Sequence, residues 1–360
     1  MGKRWVRLIV IVPLLVFFVF TNVYEDPANI FHDNSKEMAE LLSKGYATYN
    51  TSDNGNEREI KHNMIMLMPD EVDCVAIGPS LIMTVNKDEV GTDSFINLGV
   101  SGSDLYDVLA QFGLMKIYDK KPKKVILCVD SYFFDESFYN AKDARNKGLK
   151  NYAEYMLEVL EGENPKPVSY DYYNYIKTRI EQAFSITYFQ AAWKQIQKNG
   201  KYIVDNERYG VVGANFNGEY AYYDSDASLV YEKDFQEKGV SFVKKECANY
   251  NIKKQFAYDK HINKYSMEVF EKLICYMQEQ GIEVELFLCP MSPSLWDRID
   301  KDKSHYPILD EISGFAYDMS NKYNLKIIGT YNPYKIGMKD EDFYDARHVR
   351  RELMGKFFEL

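Results

Sequence analysis

Apolar positions fall into three regimes along this chain. From residue 8 to residue 20 they are continuous. Widening the window to residues 5–24 gives about the twenty residues a bilayer requires, with Lys3, Arg4 and Arg7 at its start and Glu25 and Asp26 just beyond it. The pattern predicts a single transmembrane helix over residues 1–24. The basic flank leaves the rest of the chain outside the cytoplasm, anchored in the cell membrane. A cleaved signal peptide would need small residues after Phe20, where Thr-Asn-Val-Tyr stands. A buried core helix is the remaining reading, and against it the segment is terminal and has no polar face.

In the second regime short apolar runs alternate with helical periodicity. Runs at 73–78, 94–99, 123–134, 282–290 and 325–329 predict strands. The third is continuous enough to be buried on both faces of a parallel sheet. Apolar residues at 105, 108, 109, 112, 114 and 115 predict a helix over 103–121, capped by Ser103 or Asp104. Further helices are predicted over 266–281, over 306–324 and in the terminal segment 348–360. Strand and helix alternate, so the expected fold over residues 71–360 is α/β, three layers about a flavodoxin-like parallel sheet.

The third regime breaks that rhythm. Residues 135–260 are rich in Tyr, Asn, Lys and Glu, and read as a large mid-chain insertion with helices of its own. Residues 25–70 read as a polar lead-in, and the stretch 43–63 as loop.

Composition narrows the partners. A net charge of −10 argues against nucleic acid as a partner, because phosphate binding needs a basic face. Five cysteines, at 74, 128, 247, 275 and 289, have no CxxC spacing and read as buried free thiols. No metal site and no cofactor is expected. Fifteen of the thirty tyrosines fall within 150–260, in runs such as YDYYNY and EYAYYD. Such rings could line a groove for sugar rings, or could simply pack the insertion.

The candidate chemistry begins with Ser80, in VAIGPSLI after the first strand. Reactive groups in parallel α/β folds collect at the carboxyl ends of strands, yet turn serines are common there too. A nucleophilic serine needs a base and a group to orient that base. Of the five histidines, 32, 62, 261, 305 and 348, only His348 follows the last strand in a loop that feeds a helix. Asp345 stands three residues before it, in DARH. That spacing lets the carboxylate accept from Nδ1 and leaves Nε2 for a serine. The competing reading is that Asp345 and His348 only cap the terminal helix.

The order GPS, NLGVSGSD, DARH resembles the SGNH hydrolase superfamily, whose motifs are a nucleophilic serine, an oxyanion glycine, an asparagine and a C-terminal D-x-x-H. The resemblance implies a catalytic triad of Ser80, Asp345 and His348. It implies an oxyanion site from the N–H groups of Ser80 and Gly102, with Gly99 as the alternative glycine. The first motif departs from G-D-S. In the third, LCVDSYF places Asp130 where asparagine would donate, so Asp130 has another task, or Ser131 or Tyr132 supplies the donor. The N-terminal segment, DPANIFH after it and the aspartate after the third strand are similar to one membrane-anchored branch. That branch contains the D-alanyl transfer protein of teichoic acid synthesis and surface-polysaccharide O-acetylation proteins. It implies a membrane-bound O-acyltransferase as partner and a cell-surface polysaccharide as substrate. The charge of −10 suits a neutral or mixed glycan better than a polyanionic one.

Two functions are expected from this. The first is a membrane-anchored serine acyltransferase or esterase acting outside the cytoplasm on O-acyl groups of a glycan. The second is a non-catalytic, glycan-binding or accessory partner of the acyltransferase. A phosphate-handling enzyme is the weakest reading, since the chain has neither a P-loop nor a metal-ligand cluster.

Overall fold

A computed structural model describes residues 2–51, 56–134, 147–202, 208–256 and 258–358, with side chains in the first helix from Ile11 onward. The start of the insertion, at 135, lies outside the described residues.

Five parallel strands form the central sheet. They are β2 (Glu71–Ile77), β3 (Phe95–Asn97), β4 (Lys121–Cys128), β8 (Glu283–Leu288) and β9 (Lys326–Gly329), in the order β3-β2-β4-β8-β9. This is the flavodoxin-like order, in which the chain reverses direction between β2 and β4, where their carboxyl ends open a crevice. The four C-terminal residues of β2, of β4 and nearly all of β8 are buried, as expected of strands covered on both faces. Helix α5 (Leu105–Ile117) lies between β3 and β4 in sequence and buries ten of its residues. Asp104 caps it and Asp107 completes the capping box.

One close approach sets the spacing at that crevice. Gly78 has φ of 145°, and a Cβ there would sit 2.7 Å from Cys128 Cβ and 2.9 Å from Cys128 O. Only glycine lets the end of β2 turn against the end of β4.

Four short strands make a second, antiparallel sheet in the order β5-β1-β6-β7: β1 (Thr48–Asn50), β5 (Tyr209–Val211), β6 (Tyr222–Tyr223) and β7 (Leu229–Val230). The stretch 43–63 is therefore not loop. It supplies β1 and the start of α3 (Glu57–Leu67), whose inward face includes Ile60, Lys61, Met64 and Ile65. The insertion joins the main body here, because Leu229 N donates to Met83 O at 2.6 Å.

The N-terminal helix α1 (Gly2–Glu25) forms, with Pro13 inside it. Among the described residues no helix is long and apolar enough to cross a membrane. From Ile11 the uninterrupted apolar sequence ends at Phe20, and ten residues of helix rise about 15 Å, half the bilayer core. Thr21, Asn22, Glu25 and Asp26 are buried in protein. Asn22 Nδ2 donates to the carbonyls of Gln182, Ala183 and Ser185 at 3.2, 3.0 and 3.1 Å. Arg208 donates to the carbonyls of Tyr24 and Glu25, capping the helix C-terminus. The single-pass span expected over 1–24 is thus not supported by the described residues, because this end of the helix is seated in the insertion.

The terminal helix expected over 348–360 is also absent as such. A 3-10 turn at Arg351–Leu353 and one helical turn at Gly355–Phe358 replace it. All five cysteines are free, and all but the half-buried Cys275 are buried.

Gly78→Ala should lower stability by about 2–4 kcal/mol through the clash with Cys128. Gly314→Ala, with nothing within 4 Å of its added Cβ in the helix Pro307–Tyr323, should be neutral or raise stability by up to about 1 kcal/mol. Thermal or denaturant unfolding of the two variants checks both signs.

Candidate active site

The turn after β2 presents Ser80 and the turn before the C-terminus presents His348. Ser80 begins a 3-10 turn, Ser80–Ile82, at the crevice between β2 and β4. Its Oγ lies 2.8 Å from His348 Nε2. His348 Nδ1 lies 2.8 Å from Asp345 Oδ2. The other Asp345 oxygen accepts from the backbone N–H of Arg347 at 2.8 Å and of His348 at 2.9 Å. One carboxylate thus folds the turn and orients the imidazole. Serine and histidine, 268 positions apart, form a hydrogen-bonded relay with the aspartate behind it.

Burial alone would raise the Asp345 carboxyl, but the His348 imidazole and the N–H bonds of Arg347 and His348 outweigh it and hold it below the usual carboxylate range. Asp345 therefore stays ionised beside the ring.

The remaining histidines have other partners. His32 contacts Asp26, His62 contacts Glu59, His261 contacts Glu311 and His305 contacts Asp259.

The turn after β3 faces the same edge of the sheet. Leu98 N donates to Ala76 O at 2.7 Å and Val100 N to Gly78 O at 3.0 Å. This pairing carries Gly102 alongside the Ser80 turn. Gly102 is left-handed, with φ of 57°, and among the described residues no acceptor takes its N–H or that of Ser80. Both N–H groups are open donors at these turns. Gly99 N is spent on Asn97 Oδ1 at 2.9 Å, which leaves Gly102 as the glycine of this turn with an open N–H.

The third-motif residues serve elsewhere. Asp130 is buried and pairs with Arg347, the residue between Asp345 and His348. It also accepts from Ser131 Oγ at 3.0 Å and Tyr132 N at 3.3 Å. Tyr132 Oη donates to Gln255 Oε1. None of Asp130, Ser131 and Tyr132 supplies a free side-chain donor in this arrangement. Asp130 instead fixes the histidine turn to the end of β4, with the Arg347 guanidinium 5.3 Å from the centre of the Phe256 ring.

No family model matches the chain, and no curated protein matches it.

Four further groups shape the site. Asn97 is fully buried in β3 and its Nδ2 lies 2.8, 3.2 and 2.8 Å from the carbonyls of Ile82, Met83 and Val85, so the side chain pins the segment just after Ser80. Glu57, in the first turn of α3, accepts from Ser101 N at 2.7 Å and from Ser101 Oγ at 3.0 Å. Arg58 donates to Ser101 O at 3.2 Å and holds Asp107 through two bonds of 2.8 and 2.7 Å. In a trans peptide the carbonyl and the next N–H point in opposite directions. Holding Ser101 O therefore sets the direction of Gly102 N–H. Tyr231, from the insertion, packs edge-on against His348 with centroids 6.0 Å apart. Burial, then the Asp345 and Glu57 carboxylates, push its phenol well above its usual range. The YDYYNY run does not cover Ser80: Tyr170 stacks on His62 instead.

Asn97 left a signal, a lone amide in an apolar strand. Arg347 lay inside DARH. Glu57 and Arg58 left none, because their role depends on how α3 docks.

Asp130→Ala strands the buried Arg347 charge and should cost about 3–5 kcal/mol in denaturant unfolding. Asp130→Leu combined with Arg347→Met should recover much of that loss. The unfolded chain protonates Asp345 near pH 4 and the folded chain only below that. The stabilisation is therefore complete above about pH 4 and is lost as pH falls further. In unfolding curves against pH, the gap between wild type and Asp345→Asn should close on acidification.

Proposed function

We propose that this chain is a serine acyltransferase or esterase that acts at the outer face of the cell membrane on O-acyl groups of a cell-surface glycan. The observation that carries the reading is the relay Ser80 Oγ–His348 Nε2–Asp345, with both contacts at 2.8 Å. An unpaired turn serine or a helix cap would not need that geometry. The SGNH-like order of the motifs supports the same reading.

The chemistry follows from the relay. Ser80 Oγ attacks the acyl carbonyl carbon while His348 Nε2 takes the hydroxyl proton. The carbonyl oxygen becomes an oxyanion facing the N–H groups of Gly102 and Ser80. The ester C–O bond breaks, and the leaving oxygen takes the proton from His348. A glycan hydroxyl, or water, then gives its proton to Nε2 and attacks the acyl-serine; the acyl–Oγ bond breaks and Ser80 Oγ takes the proton back from Nε2. Asp345 stabilises the imidazolium in each half without taking a proton. An acyl group delivered outward by a membrane-bound O-acyltransferase would be the donor.

Membrane location rests on α1. Ile11, Val12, Leu14, Leu15, Val16, Phe17 and Phe20 are all exposed, and Lys3, Arg4 and Arg7 precede them in sequence. Such a surface belongs against lipid.

A second reading is an accessory protein without turnover, and the employment of Asp130 by Arg347 favours it, since no side-chain donor replaces the expected asparagine. Kinetics separate the two. On a soluble acyl ester, Ser80→Ala and His348→Ala should each lower kcat by about 10⁴-fold or more with both variants still folded. Equal turnover by wild type and both variants rejects the enzyme. Glu57→Ala should lower kcat with little change in KM, because it releases the N–H and hydroxyl of Ser101, the residue whose carbonyl peptide carries Gly102 N–H.

A further inference from the structure

The insertion carries a helical hairpin, Tyr172–Ala183 followed by Ile186–Asn199. Its inner side holds α1: Phe18 stacks on Phe189 at 4.8 Å, and Phe17 meets Trp193 edge-on at 6.4 Å. Its outer side is apolar and open. Ala183 is the only buried residue of the first helix, while Tyr172, Ile176, Ile180 and Phe184 recur every four positions and are 66, 54, 59 and 58% exposed. One stripe of a helix in water does not carry that run without something to cover it.

Charge identifies the cover. From Tyr172 to Asn199 the hairpin has Lys177, Arg179, Lys194 and Lys198 against Glu181, a local charge of +3 in a protein of −10, with Asp171 capping its first helix, Lys177 4.0 Å from Glu181 and Arg179 turned inward to Ile30 O. Basic residues, aromatic rings and an aliphatic stripe on one short hairpin are the composition of helices that lie in an anionic lipid interface. The stripe is also continuous with lipid-suited surface, since the hairpin packs along the same α1 whose residues 11–17 and 20 are exposed. A protein partner would explain the apolar stripe but not the local reversal of charge.

We propose that this hairpin lies flat in the headgroup region of an anionic bilayer, as a second membrane contact beside α1. The proposal rests on the membrane location argued above. It adds an orientation: two contacts fix how the body sits on the membrane, where α1 alone would let it swivel. Lys177, on the exposed side, reaches headgroup phosphates while Ile176 and Ile180 enter the acyl boundary.

The test uses the full chain and one tryptophan at a time, with vesicles carrying brominated acyl chains. In one form Trp193→Phe and Trp296→Phe leave Trp5 to report on α1. In the other Trp5→Phe is added and Tyr173→Trp reports on the hairpin, Tyr173 being 76% exposed. On vesicles of phosphatidylcholine with phosphatidylglycerol, the hairpin reporter should lose most of its emission and shift to the blue. On phosphatidylcholine alone it should be quenched much less. Ile176→Ser with Ile180→Ser should lower the hairpin quenching about tenfold in the apparent partition constant. Circular dichroism and thermal unfolding verify the fold of each variant, and turnover of the soluble ester reads the triad separately. If Trp5 is quenched and the hairpin reporter is not, the membrane location stands and this inference is overturned. If neither is quenched, both fail. Equal quenching on neutral and anionic vesicles overturns the role of charge.

Discussion

The ion pair between Arg347 and Asp130 ties the last turn of the chain to the central sheet. It is buried on both sides. A lone charge at that depth costs several kcal/mol, so each residue needs the other. Arg347 is held between Asp345 and His348, and fixing it fixes the imidazole. Asp130 follows β4, the strand beside β2, and β2 delivers Ser80. Serine and histidine therefore meet because two neighbouring strands each hold one end of the contact. Asp130 is thus an anchor for the histidine turn.

Polar side chains carry the rest of the site. Asn97 ties the segment after Ser80 to β3. Lys61 is fully buried and donates to Asn97 O at 2.8 Å and Ala227 O at 2.5 Å, joining α3, β3 and the loop before β7. Burial depresses its pKa to about 7. Glu57 and Arg58, one turn earlier on α3, grip the N–H, hydroxyl and carbonyl of Ser101. The segment before the sheet is thus a scaffold for the turn that bears Gly102. Satisfied networks of this kind specify one arrangement, since any shift leaves a buried donor without its acceptor.

The strands were legible because apolar runs and their spacing are local properties. Ser80, Gly102, Asp345 and His348 were legible because turn residues after strands occur in an informative order. What escaped depends on docking. Residues 43–63 look like loop on composition, yet β1 and α3 form there because β5 and β6 pair with β1 and the core covers Ile60 and Ile65. Asp130 was read against an absent donor, and its partner could be found only with the DARH turn in place. A terminal helix was expected from 348 onward, but a bridge between Phe343 and Val349 holds that stretch extended. The N-terminal segment reads as a span by length, while the structure seats its end, Thr21–Asp26, in the insertion.

The proposed function makes Ser80 a nucleophile aimed at a carbonyl held by Gly102. A crystal structure after treatment with a serine-reactive phosphonate tests it most directly. A nucleophilic Ser80 should give phosphorus bonded to its Oγ, with a phosphoryl oxygen within hydrogen-bonding distance of the N–H of Gly102 and Nε2 of His348 facing the leaving position. An untouched Ser80 in a folded protein, or an adduct whose oxygen points away from Gly102, would contradict it.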